Sequence, residues 1–258
     1  MDSHIQMPES VLKHFSIQTG VNKGKIYYYT FETKNISLGS PKILNTKKNY
    51  YSNEVEKYFS DEVETPLGKV IKHLKDSYYE GKGFKFNQKV IDIIFNYLYA
   101  LLARSPQMTE NVRKLLLLNC FFSEQNIHDM SAIDAIKLMQ QDQLFKDEFF
   151  PNFVLNKTDI PFVLPTCGYY DYKLGDDGKE IIQIPLTENI CISFFKINRL
   201  KNNKTDNKPS VFLVDGETVQ KMNNQAFESQ KRYQNAYLVS SDRNELERIQ
   251  KVMENESV

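Results

Sequence analysis

Five carboxylates, Glu54, Glu56, Asp61, Glu62 and Glu64, fall in one short stretch that also carries an apolar period, and farther along Arg104 closes a long apolar run. Carboxylates gathered on one side of a helix can act as general bases or metal ligands. An arginine offers a planar fork that matches phosphate or carboxylate oxygens. Each group also has a purely structural use. Acids at the start of a helix commonly form its solvated face, their charge set against the positive end of the helix dipole. A functional role needs one of them turned inward, and Glu56 and Glu64, eight residues apart, share a side only if the helix between them is regular. Arg104 is followed by Ser105 and Pro106, and proline disfavours the α conformation in the residue before it, so the helix ends here. At that carbonyl-rich end the guanidinium can bond the last carbonyls, a nearby carboxylate or an anionic ligand.

Other chemical signatures are incomplete. "GVNKGK" has three residues between its glycines where a phosphate loop has four, and no Ser or Thr follows its lysine. His4, His14, His73 and His128 form no pair at a spacing of three or four with one another or with cysteine, against the pattern of a local zinc site. "DYKLGDDG" lacks the remaining ligands of a calcium loop, and no Gly-x-Ser-x-Gly elbow occurs. The cofactor, if any, is therefore unknown from sequence.

The elements that must position Arg104 and the acids follow from periodicity. Val55, Phe59, Val63, Leu67, Val70, Ile71 and Leu74 recur at three- and four-residue spacing, one face of a helix, with Pro66 marking a break or a new first turn. Asn87 caps a buried helix over Gln88 to Ala103. A further helix is expected over "VRKLLLLNCFF", and another over "SAIDAIKLMQQDQLF" with Ser131 as its cap. Before this block, "ESVLKHF" is a short amphipathic piece and "IYYYTF" begins a strand or hairpin. After it come short runs rich in Ile, Phe, Tyr and Val, with "GDDG" as a hairpin turn at Gly175 to Gly178, "KNNKTDNKPS" as a polar loop and "VFLV" as a strand. A helix over Gly216 to Tyr233, the strand "AYLVS" and a helix opening at Asp242 complete the chain. Segregated helices and strands argue for α+β: a single domain with a helical middle layer packed on a mainly antiparallel sheet, built from the early Tyr-rich strands and the later ones. Its parts are 1–50 (N-terminal helix and hairpin), 53–150 (helical), 155–240 (strands and a helix) and 241–258 (C-terminal helix).

Composition bounds the setting. Lysine plus arginine and aspartate plus glutamate both number 33 in 258 residues, so no global field draws the chain to nucleic acid or an acidic membrane. Cys120, Cys167 and Cys191 are odd in number and scattered, which reads as reduced core thiols in the cytoplasm. The longest apolar stretch, near Val90 to Ala103, is shorter than the roughly 20 residues of a membrane helix. No membrane partner is expected.

In order, "MPESVLKHF", "SPKILNTKKNYYSNEVEKYFSDEVE", "ALLARSPQM", "DIPFVLPTCG", "IQIPLTENICISFF" and "VQKMNNQAFESQKRYQNAYLVS" resemble blocks of the uncharacterised bacterial family catalogued as domain of unknown function 4238. The resemblance spans nearly the whole chain. It puts Pro8, Leu12 and Phe15 in the opening pattern, and Tyr50 or Tyr51, Glu56 and Glu64 in the next block. Arg104, Ser105 and Pro106 stand at its helix end and Asn223 in the closing helix. Two positions depart from it: Ile5 stands where the family carries a histidine, with His4 one residue further away, and Thr166 stands where it carries an aspartate, leaving Asp171 as the nearby acid. Members occur in antiphage defence loci. The resemblance thus implies an intracellular bacterial defence effector acting on nucleic acid or nucleotides, its site drawn from Arg104, Glu56, Glu64 and Asn223. Arg104 would hold a phosphate and Glu56 or Glu64 would serve as base or metal ligand. The alternative is a non-enzymatic sensor or interaction module that meets a phage or host protein through aromatic strands, with Tyr27, Tyr28 and Tyr29 as contacts. A cleft joining Arg104 to inward carboxylates favours the first, an exposed apolar patch the second. Oligomeric state is not legible in the sequence.

Overall fold

A computed structural model describes residues 2–4, 6–44, 46–80, 87–105, 124–141, 145–146, 148–174, 179–196 and 210–255. The fold is α+β, and the chain divides into two compact units: Met1–Ser10 with Asn45–Asp147, and Val11–Leu44 with Glu148–Val258. The first is helical. Its strand β1 (Asp2–His4) pairs antiparallel with β4 (Thr46–Lys48). Helix α1 (Glu9–Leu12) lies across the division.

The long helix expected from Asn53 is built in three pieces. Ser52 caps α2 (Asn53–Tyr58) by accepting the Val55 N–H, a π-helical turn covers Phe59–Glu64, and α3 (Thr65–Tyr79) carries Pro66 in its first turn. All seven apolar positions of the expected face are buried. Their spacing explains the π turn. Val55, Phe59, Val63 and Leu67 are each four apart, and in a regular α-helix such a row drifts by about 40° per step. One wider, i→i+5 turn absorbs that drift and keeps the row inward. Pro66 has no N–H for the carbonyl of Glu62, four residues before it, and Asn96 Nδ2 donates to that oxygen instead at 3.1 Å.

Helix α4 (Gln88–Ala103) has the predicted bounds, and Asn87 Oδ1 accepts the Val90 N–H at 3.0 Å. Ile94, Tyr97, Leu98 and Leu101 are among its buried residues. Helix α5 (Glu124–Gln141) packs on α4, and it runs through Ser131, which is therefore not its cap. Interior serine costs a helix only about 0.5 kcal/mol, too little to start a new element. The helix expected over "VRKLLLLNCFF", with Pro106 and Cys120, lies outside the described residues.

The second unit holds the large sheets. One has the order β10-β5-β9-β8-β7: β5 (Phe149–Asn156), β7 (Tyr170–Leu174), β8 (Lys179–Thr187), β9 (Ile190–Lys196) and β10 (Val211–Val214). All its pairings are antiparallel except β10 with β5. The other has the order β3-β2-β11-β6: β2 (Ile26–Thr30), β3 (Asn35–Gly39), β6 (Leu164–Pro165) and β11 (Tyr237–Ser240), all antiparallel. The early Tyr-rich strand thus joins only some of the later strands, and the expected single sheet is two. Strand β5 begins inside the stretch expected to be helical to residue 150. Its Pro151 hid it, because proline removes a ladder donor; here β10 pairs only from Phe153 onward, beyond the proline. Pro185 in β8 falls at a register shift. The "GDDG" turn and the "KNNKTDNKPS" loop lie outside the described residues, though β7 and β8 pair from Leu174 with Lys179.

Helices α6 (Gly216–Gln230) and α7 (Arg243–Asn255) bury Ala226, Phe227, Leu246, Ile249 and Met253 with Tyr29, Val163, Tyr170 and Leu238 of the unit. Asp215 caps α6 through the Thr218 N–H at 2.8 Å, and Asp242 Oδ1 accepts the Asn244 N–H ahead of α7 at 2.9 Å.

Candidate functional site

Arg104 ends α4 with its N–H on the carbonyl of Ala100 at 3.1 Å, and its side chain is only 4 % exposed. The guanidinium carbon lies 3.5 Å from the centroid of the Phe59 ring and 6.0 Å from that of Tyr51. One terminal nitrogen donates to Glu64 Oε1 at 3.4 Å, while Glu64 Oε2 accepts from the Ser10 hydroxyl at 3.3 Å. Phe59 and Glu64 are the first and last residues of the π turn. In an α-helix residues five apart point about 140° from each other, whereas the wider turn brings both toward Arg104. The condition placed on Glu56 and Glu64, a regular helix between them, is not met.

Glu56 stands differently. Its Oε1 is buried with no hydrogen-bond partner among the described residues, as is Arg104 Nε. Both charges act on the Tyr51 hydroxyl: burial pushes its pKa far above the usual phenol value, Arg104 pulls it down, and Tyr50, Glu56 and Asp129 push it up again. Tyr97 is raised by burial and by Glu64, with Arg104 opposing, and its hydroxyl donates to Met7 Sδ at 3.7 Å. The assembly is a buried cation held between an aromatic face and a carboxylate, walled by two phenols that stay protonated at neutral pH. It clamps the π turn to the end of α4. Among the described residues, no group of three or more His, Cys, Asp and Glu is placed to hold a metal ion.

The fourth candidate belongs to the other unit. Asn223, on α6, accepts the Val163 N–H at 3.1 Å and donates to the Pro161 carbonyl at 2.9 Å and to Glu245 Oε1 at 2.8 Å. Its amide straps the segment before β6 to α6 and α7, and Arg248 closes the network on Glu245 and Asn224. Arg104 and Glu64 are thus brought together and Asn223 is engaged elsewhere. Thr166 is also a strap. Its hydroxyl donates to the Tyr237 carbonyl at 2.8 Å and accepts the Tyr237 N–H, and an ionised aspartate has no proton for the first bond. Asp171 pairs with Arg232.

Cys167 and Cys191 are free and buried, and Cys120 lies outside the described residues. Burial pushes the Cys167 thiol up to about 12 and the Cys191 thiol higher still. Of the tyrosines expected as contacts, Tyr29 is 3 % exposed in the core, Tyr27 packs against that core and Tyr28 is half-buried. The exposed apolar row lies elsewhere, at Val211, Phe212 and Leu213 of β10, which are 42 %, 48 % and 63 % exposed. Sequence reasoning identified that strand and missed its exposure. It also missed Phe59 as the platform for Arg104, for which the four-residue spacing around the π turn was the available signal. Among the described residues, no helix is long and apolar enough to cross a membrane. The chain matches no protein family, no curated protein and no solved structure with which it was compared.

Proposed function

We propose that this chain is a non-enzymatic interaction module that takes an extended segment of a partner protein along the edge of β10. The observation that carries this reading is the row Val211, Phe212, Leu213. Consecutive strand residues face opposite sides, so both sides of β10 are open, and in the described sheet β10 has β5 as its one neighbour. Edges of this kind are usually blunted by charge, proline or cover, and an uncovered apolar one is a template for strand addition. The strand has four residues, far too little for the roughly 800 Å² per partner of a stable dimer. A peptide-like segment therefore fits better than a second copy. The free, buried cysteines support a reducing, cytoplasmic setting. In the defence setting that the family resemblance implies, the segment belongs to a phage or host protein.

The test is selection from a displayed library of extended peptides, using wild type, Phe212→Lys and Leu213→Lys at matched melting temperature. Wild type should enrich sequences with alternating apolar positions, and the lysine variants should retain them at least about tenfold less well. No enrichment by wild type, or equal enrichment by the variants, defeats the reading.

The nucleotide-effector reading keeps one observation in its favour, the unpartnered Arg104 Nε and Glu56 Oε1. Buried polar atoms without partners are uncommon and costly. Glu56→Gln separates the two readings: loss of biological effect at unchanged peptide binding would support the effector.

A further inference from the structure

In the second unit a cavity of about 610 Å³ opens between the β2–β3 hairpin and the ends of α6 and α7. That is within the usual range for small-molecule sites, and β10 takes no part in it. Its floor is aromatic. Tyr29, Phe31 and Phe227 form a triangle of rings with centroids 5.1, 5.5 and 4.7 Å apart, Met253 joins them on the lining, and Phe31 is the least buried of the three rings. The lining also carries charges of both signs. Lys231 is committed to Glu228 at 2.6 Å. Lys34 makes no ion pair with the described residues, and Glu254 accepts only from the neutral amide of Gln250, at 3.1 Å.

Lys34 and Glu254 thus face one cavity without pairing, and Gln250 fixes the elements that carry them. The nitrogen that donates to Glu254 donates also to the Lys34 carbonyl at 3.3 Å, tying the hairpin turn to the helix end. Lys34 has a φ of 54°, a left-handed conformation that glycine adopts more readily. An unfavourable backbone beneath an uncommitted charge points to a use for the side chain. Tyr29 supplies a further polar group. The residue is 3 % exposed, yet its hydroxyl makes no hydrogen bond with the described residues and, unlike that of Tyr99, keeps accessible surface. Burial and the charge of Glu254 both raise its pKa, so the phenol is neutral at neutral pH. We propose that this cavity binds a free aromatic amino acid. The ligand's ring lies on Phe31 and its carboxylate meets Lys34. Its ammonium meets Glu254, with the Tyr29 oxygen as a second acceptor. A zwitterion answers both uncommitted charges, where a simple anion or cation answers one.

Four probes, followed by ligand-observed NMR on the full chain at neutral pH, isolate the three features. L-phenylalanine has them all, 2-phenylethylamine lacks the carboxylate, 3-phenylpropionate lacks the ammonium and L-alanine lacks the ring. L-phenylalanine should bind, and each single-charge probe should bind about fivefold more weakly, the scale of one exposed ion pair. L-alanine should show no binding. Lys34→Gly relieves the left-handed backbone, so its melting temperature should be equal or higher, while L-phenylalanine weakens about fivefold and 2-phenylethylamine is unaffected. Glu254→Gln, at an exposed position, should weaken L-phenylalanine and leave 3-phenylpropionate unchanged. The proposal is overturned if L-phenylalanine does not bind wild type at about millimolar probe, a concentration at which even weak sites fill. It is equally overturned if either single-charge probe or L-alanine binds as tightly as L-phenylalanine, or if either folded variant binds L-phenylalanine as wild type does.

Discussion

Arg104 is held by three contacts of different kinds: its backbone N–H on Ala100, its guanidinium face on Phe59 and one nitrogen on Glu64. Lysine can replace the charge and not the face. Arg104→Lys should therefore lower stability by about 2 kcal/mol, the combined loss of a buried stack and a directed bond. Glu64→Gln leaves the buried cation without its counter-charge and should cost about 2–3 kcal/mol, discounted because Glu64 keeps 24 % of its side-chain surface. Urea unfolding curves measure both, and midpoints equal to wild type would show that Arg104 is not a clamp. The sequence singled out Arg104 correctly as a charge that needs acceptors, because a cation at the end of an apolar helix has few ways to be satisfied. It could not say which acceptor, since Glu64 is forty residues away in the chain. Asn223 shows the same limit from the other side. A polar residue on an apolar helical face reads equally as a site residue or a strap, and only its three bonds to Pro161, Val163 and Glu245 distinguish them.

Among the elements, the junction of α2 and α3 with α4 depends on a proline and an asparagine acting together. Pro66 frees the Glu62 carbonyl and Asn96 takes it up. Asn96→Ala alone should cost about 0.5–1.5 kcal/mol, the net worth of such a bond. In a Pro66→Ala background the helix has an N–H of its own to offer, so the same substitution should cost measurably less. Strict additivity in that double-mutant cycle would mean that the two residues do not share the carbonyl. At the centre of α4, Ile94 is fully buried, and Ile94→Asp should destabilise by more than about 4 kcal/mol or abolish folding, read by circular dichroism. Helix bounds were legible here because capping and apolar period agree at Asn87 and Ala103. The π turn was legible in principle, as a row of four-residue steps too slow for an α-helix. Strand β5 was not, because Pro151 speaks against a strand until its neighbour β10 is known to begin past it.

For the molecule as a whole, buried acids of high pKa tie stability to alkaline pH. In the unfolded chain a cysteine ionises near 9.0 and a tyrosine near 10.0. In the folded chain burial holds Tyr51, Tyr97 and Tyr170 above that value, and moves Tyr99 and Cys167 to about 12. As pH rises past 9, the unfolded state sheds protons that the folded state keeps, so the slope of stability with pH is negative. Stability should be intact below about pH 9 and fall steadily toward about pH 12, seen as declining guanidinium midpoints. A flat profile to about pH 11 would show that these phenols are not sheltered. The order of strands β3-β2-β11-β6 has a further consequence, for synthesis. Its inner strand β11 is made last, some 200 residues after the hairpin it must join. While the ribosome is still translating, β2 and β3 have only each other, and β6 has no neighbour in this sheet until Ser240 has left the exit tunnel. This sheet closes only once β11 has emerged, and a nascent chain stalled short of β11 would present the Tyr-rich edge of β2 to whatever chaperone attends the ribosome.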